Sequence, residues 1–147
     1  MKAEDANFEA RVRASFAKQK LMATIGAQLE DVSPGRVDIR LPFRDDLTQQ
    51  HGFLHAGTIA SIADSACGYA ALSLMPADAG VLSIEFKVNM LSPATGDSIV
   101  ARGEVIRAGR KVMVCRADVF SKTGSEEKLV AAMQGTMMVV RDPGLSD

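Results

Sequence analysis

The sequence predicts an α+β fold in which an antiparallel sheet of about six strands wraps one long central helix, with a shorter helix in front. Three observations lead there. First, a run over residues 56 to about 75 is apolar on nearly every side, with Ile59, Ile62, Ala63, Ala66, Cys67, Tyr69, Ala70, Leu72, Leu74 and Met75 spread around the helix. A helix with no polar face must be enclosed. Second, the segments after it alternate apolar and polar residues and are joined by turns too short for crossovers, which makes their pairing antiparallel. Third, no linker, repeat or low-complexity stretch divides the 147 residues, so residues 1–147 read as a single domain.

In chain order, Phe8, Val12 and Phe16 recur every four residues among Glu9, Arg11, Arg13 and Lys18. That predicts a short amphipathic helix within an N-terminal helical segment, residues 1–23. Ile25, Ala27 and Leu29 then alternate with polar partners, and Val37, Ile39 and Leu41 do so beyond Ser33-Pro34-Gly35, which reads as a hairpin. Residues 42–53 form a polar connection. The central helix carries Ala60, Ala63, Ala66, Gly68, Ala70 and Ala71, small enough for strands to approach closely, and it stops at Pro76. Leu82, Ile84, Phe86, Val88 and Met90 alternate with Ser83, Glu85, Lys87 and Asn89, and residues 92–97 turn the chain. Further strands carry Ile99, Ala101, Gly103 and Val105, then Met113, Cys115, Ala117 and Val119, then residues 129–140. Residues 142–147 read as a loose tail. Met75, Met90, Met113, Met133, Met137 and Met138 are expected to serve as core.

Bulk properties exclude several function classes. Hydrophobic residues make up 47% and the net charge is −1 with no basic block, so neither nucleic acid nor a membrane is expected as a partner. The longest apolar stretch, residues 59–75, is broken by Ser61, Asp64, Ser65 and Ser73, short of a clean span. Met1-Lys2-Ala3-Glu4-Asp5 opens no cleavable leader, and two dispersed cysteines suit a reducing compartment, so a cytoplasmic location is expected. Two histidines and two cysteines without ligand spacing predict no metal site.

The informative stretch is residues 49–64, Gln-Gln-His-Gly-Phe-Leu-His-Ala-Gly-Thr-Ile-Ala-Ser-Ile-Ala-Asp, a polar loop running into the apolar helix. Asp64 cannot sit in a dry core as a bare anion, so it faces a cleft, a partner subunit or a polar network. Its plain structural role would be a bond to Ser61 or to backbone. His55-Ala56-Gly57 marks the helix start, where first-turn N–H groups lack helical acceptors and can polarise a carbonyl oxygen. Gly57 could equally be an ordinary turn residue, and His55 and His51 ordinary capping or loop residues. No Gly-x-Ser-x-Gly elbow or activated Cys–His pair is present. Nine residues separate His55 from Asp64, about 13 Å along a helix axis. The acid is therefore better placed to meet another chain's helix start than its own.

Residues 49–69 resemble the PaaI-like acyl-CoA thioesterases of the hotdog superfamily. The family motif is an amide residue, then Gly-x-x-His-Gly-Gly, then an acid on the central helix. Its counterparts here are Gln49, Gly52, His55, Ala56, Gly57 and Asp64. The resemblance extends through the strand from Val81 into Leu91-Ser92-Pro93 and the Gly109-Arg110 turn. Ala56 stands where the family often has glycine, a change that keeps the backbone N–H, and Gln49 stands where asparagine is common.

The resemblance implies a hotdog fold and hydrolysis of an acyl-CoA thioester to free acid and CoA. Asp64 would be general base or nucleophile, the Ala56 and Gly57 N–H groups would form the oxyanion hole, and His55 would shape the loop. Gln49 would contact substrate or the acid. Ser83 matches a position that can orient the attacking water from a neighbouring subunit, although strand parity groups it with Glu85, Lys87 and Asn89 on the polar face. Arg110 and Lys111 would meet the phosphates of CoA, unless they are simply a solvated turn. The same resemblance implies no cofactor, CoA being part of the substrate, and a homodimer or dimer of dimers. Two other readings stand beside it. One is a hotdog enoyl-CoA hydratase or dehydratase using His55, although no His-Phe-Pro signature is present. The other is a non-catalytic acyl-CoA binder, which would have no need of Asp64.

Overall fold

A computed structural model describes residues 1–145. It contains helices α1 (Phe8–Lys18), α2 (Lys20–Ile25) and α3 (Ala56–Leu72), and strands β1 (Gln28–Ser33), β2 (Arg36–Pro42), β3 (Gly80–Met90), β4 (Ser98–Ala108), β5 (Val112–Thr123) and β6 (Glu126–Val140). All pairings are antiparallel in one sheet of order β1-β2-β4-β5-β6-β3, so β1 and β3 are the edges. Residues 142–145 are irregular, and residues 146 and 147 of the expected tail lie outside the described residues.

Helix α3 lies against β2, β4, β5, β6 and β3. Its buried residues include Ile59, Ile62, Ala63, Ala66, Cys67, Tyr69, Ala70 and Leu72, and they meet Ile39, Leu41, Ile99, Ala101, Cys115, Ala117, Val119, Met133 and Met137 of the sheet in one core. Gly103 shows how close that approach is. A Cβ there would lie 2.3 Å from the Ala66 carbonyl oxygen, so β4 passes under the helix only because this residue has no side chain.

Enclosure of α3 is not complete. Ser61, Asp64 and Gly68 lie along one less buried stripe at helical spacing. The α-helix also ends at Leu72, before the expected Met75. Its last turn tightens, with Leu74 N–H donating to Ala71 O and Met75 N–H to Leu72 O, both at 3.0 Å, ahead of Pro76. Arg11 of α1 closes this end. Its guanidinium donates to Pro76 O at 2.6 Å, Met75 O at 2.8 Å and Leu72 O at 2.9 Å, placing a cation on the negative end of the helix dipole. Ser73, also buried, accepts from Gly35 N–H at 2.7 Å and ties the β1–β2 turn to the same end.

The expected hairpin about Ser33-Pro34-Gly35 forms, but its first strand begins later. Ile25 belongs to α2, which Gly26 ends in a left-handed conformation, so the helical part of the N-terminus reaches Ile25. Of the methionines, Met75, Met113, Met133 and Met137 are core, whereas Met90 and Met138 are exposed.

Candidate active site

The residues singled out in the sequence fall into two groups on α3 and a third apart from it. At the helix start, the loop from β2 passes through a short 3-10 turn (Asp45–Leu47) and a bridge between Thr48 and Leu54 before His55. His55 is the N-cap. Its Nδ1 accepts from the Gly57 N–H at 2.9 Å, which fixes the ring as the Nε2–H tautomer in this bond. A Cβ on Gly57 would lie 3.1 Å from that nitrogen, so the glycine makes room for the imidazole. The Gly57 N–H is thus already engaged. The Ala56 N–H has no acceptor among the described residues. Gln49 folds onto its own loop, its side-chain oxygen accepting from the His51 N–H. Gln49 and Ala56 together line a groove completed by Phe53, Ile59, Met90 and Pro93.

The second group lies further along the helix. Ser83 Oγ donates to Asp64 Oδ1 at 2.7 Å. Simple alternation would turn Ser83 outward with Glu85, Lys87 and Asn89. A bulge between Ser83 and Glu85 reverses the parity at that point, so Ser83 pairs with buried Met137 and faces the helix, while Leu82 pairs with exposed Met138. The serine thus reaches the acid of its own chain. A cavity of about 250 Å³ opens beside the pair, lined by Asp64, Ser65, Gly68 and Tyr69 of α3, Val81 and Ser83 of β3, and Ser15, Lys18 and Gln19 from the α1–α2 joint. The sequence reading missed the α1–α2 residues, because nothing in their spacing marks them as more than a helix face. Phe16 packs edge-on against Tyr69, with ring centres 5.7 Å apart, and so holds α1 over this cavity.

Arg110 and Lys111 sit in the β4–β5 turn, away from both groups. With Arg141, which the sequence reading did not single out, they line a depression floored by Val112, Met138 and Val139. Both thiols are buried in the core. Burial pushes Cys67 well above the usual thiol range and pushes Cys115 up to about 12, so both stay protonated and enclosed. No helix among the described residues is long and apolar enough to cross a membrane.

What the arrangement offers is a carboxylate oriented by a hydroxyl at the mouth of a cavity, and a helix start with an open N–H. The two lie roughly 13 Å apart on the same helix.

Comparison with known proteins agrees with this geometry. The profile of the Thioesterase superfamily matches residues 51–128, more than half of the chain. A Halobacterium salinarum protein named provisionally as an esterase is 33% identical over 130 residues, covering 83% of this chain and 85% of that one. The 1,4-dihydroxy-2-naphthoyl-CoA hydrolase of Listeria monocytogenes is 26% identical, with 81% and 94% covered. A crystal structure of a thioesterase family protein from Silicibacter pomeroyi superposes with a TM-score of 0.90 at 47% identity, covering 92% of this chain and 99% of that chain. With its hotdog fold, its matched span and these relatives, the chain belongs to the Thioesterase superfamily, and that membership supports hydrolysis of a thioester as its reaction.

Proposed function

We propose that the chain hydrolyses an acyl-CoA thioester at a site shared by two copies paired along β3. The observation that carries this reading is the Ser83–Asp64 hydrogen bond at the mouth of a cavity beside an unpaired sheet edge. Ser83 occupies one oxygen of the carboxylate and leaves the other to take a proton from water. The hydroxide so formed adds to the thioester carbonyl carbon, and the carbonyl oxygen becomes an oxyanion. The C–S bond then breaks, and the proton on Asp64 passes to the departing CoA sulfur. The oxyanion is stabilised by the Ala56 N–H of the other copy's helix start, a donor that costs nothing to reorganise. The Gly57 N–H joins it only if the His55 cap opens. Direct attack by Asp64 would instead pass through a mixed anhydride. Single-turnover hydrolysis in ¹⁸O-water tests for the anhydride, because label enters the protein only when water attacks the aspartyl carbonyl of that intermediate.

Pairing along β3 accounts for the 13 Å between the half-sites, since the partner's helix start can approach where a chain's own cannot. Arg110, Lys111 and Arg141 supply positive charge for the phosphates of CoA. The hydratase reading loses ground because His55 is occupied as a cap. A thiol-release screen over a panel of acyl-CoA thioesters, run beside hydration of an enoyl-CoA, tests the proposal. Asp64→Asn is expected to lower kcat by about 10³-fold with the oligomer intact, in line with loss of a positioned base. An Asp64→Asn protein with undiminished turnover would overturn it, as would tight binding of acyl-CoA with no thiol released by the wild type.

A further inference from the structure

Gly68 is a helix-interior glycine that neither backbone nor packing accounts for. It is not among the glycines with positive φ, which are Gly26, Gly35, Gly52, Gly96 and Gly124. A Cβ built on it would meet nothing within 4 Å, the reverse of Gly103, where a Cβ would strike the helix backbone. Alanine would fit here and would stabilise the helix, since an interior glycine has more freedom to lose on folding. Gly68 nonetheless lies one turn beyond Asp64 on the open stripe of α3, and the space above it is continuous with the cavity beside the acid.

We infer that Gly68 is the residue that sets the size of the acyl group. Its missing side chain keeps open the floor of an acyl pocket whose roof is Ser15 and Gln19 at the α1–α2 joint and whose end walls are Tyr69 and Val81. The cavity of about 250 Å³ is at the small end for a ligand pocket. It therefore suits a compact acyl group, a single ring or a short branched chain. The inference rests on the thioester reading above for the identity of the ligand, and on the geometry alone for the role of the glycine.

Gly68→Ala tests it. Across acetyl-, butyryl-, benzoyl- and phenylacetyl-CoA, the loss of kcat/KM is expected to grow with acyl bulk and to reach about tenfold for the ring acids, as one added methyl group allows. The same substitution should raise Tm by about 2–4 °C. An equal loss on every substrate, no loss on any, or dissociation of the oligomer in light scattering would overturn the role. Dissociation would mean that Gly68 makes room for a partner subunit instead. A second arm separates this inference from the hydrolysis reading. Calorimetry with non-hydrolysable thioether analogues of the same acyl-CoAs compares Asp64→Asn with Asp64→Asn/Gly68→Ala. Weakening that grows with acyl size upholds the pocket even if the wild type releases no thiol, an outcome that would sink hydrolysis alone. Weakening independent of size sinks the pocket whatever the activity, and failure of every analogue to bind sinks both.

Discussion

The two edges of the sheet are built in opposite ways. β1 is six residues long, carries Glu30 and Asp31, has a register break between Leu29 and Asp31, and is contacted by α1. β3 is eleven residues long and leaves Leu82 48%, Ile84 50%, Phe86 43% and Met90 41% exposed. β3 also has a bulge and carries Glu85 and Lys87, so the edges differ in length and in the apolar surface they leave open: a short edge covered by a helix refuses another strand, and a long apolar one invites it. Asp64 and Ser83 are at the inviting edge. The edge left open is thus the one beside the proposed site, and α1 bridges the two sides, touching β1 and covering the Asp64 cavity.

The largest effect on assembly should come from spoiling the open edge. Ile84→Lys puts like charges face to face in a β3–β3 pair. It is expected to give a monomer by light scattering and to lower kcat/KM at least 100-fold, while Glu30→Lys on β1 leaves assembly as it was. An Ile84→Lys protein that stays assembled and active would remove the distinction between the edges. On the closed side, Arg11→Ala deprives three carbonyls at the end of α3 of a guanidinium that is 9% exposed. A loss of about 3 kcal/mol in unfolding free energy is expected by denaturant titration, the scale for a buried charged group that holds several acceptors. A loss below about 1 kcal/mol would show that α1 is held by apolar packing alone. The smallest effect belongs to Ser83→Ala, which frees the Asp64 carboxylate to rotate. A tenfold fall in kcat, about 1.4 kcal/mol, is expected with little change in KM, and Ser83→Thr should restore most of it. A change in KM alone would place the serine against substrate instead of against the acid.

Alternation and turn chemistry made all six strands and the long helix readable in the sequence, because apolar residues alternate along the strands and each hairpin has a Gly- or Pro-bearing turn. The α2 segment was not readable. Ile25, Ala27 and Leu29 satisfy a period of two as well as they satisfy a helix end followed by a strand, and only the left-handed Gly26 decides between them. The bulge beside Ser83 left no trace either, because the apolar alternation from Leu82 to Met90 runs through it without interruption. For the site, the His55–Asp64 spacing was enough to separate the two groups on α3. What it could not convey was that the His55 ring takes the Gly57 N–H, a contact set by a side-chain rotamer and not by spacing. The α1–α2 roof of the Asp64 cavity was hidden for a related reason. Its polar residues look like any solvated helix face until the helix is docked.

The asymmetry of the edges also limits growth. A sheet with two receptive edges can add copies end to end without stopping, which is the geometry of a fibre. With β3 as the receptive edge, the isologous pairing proposed above would use both open edges and leave the two β1 edges outside it. The short β1, contacted by α1, is in that pairing a terminator. It lets the chain keep an adhesive strand beside its carboxylate without becoming a seed for aggregation.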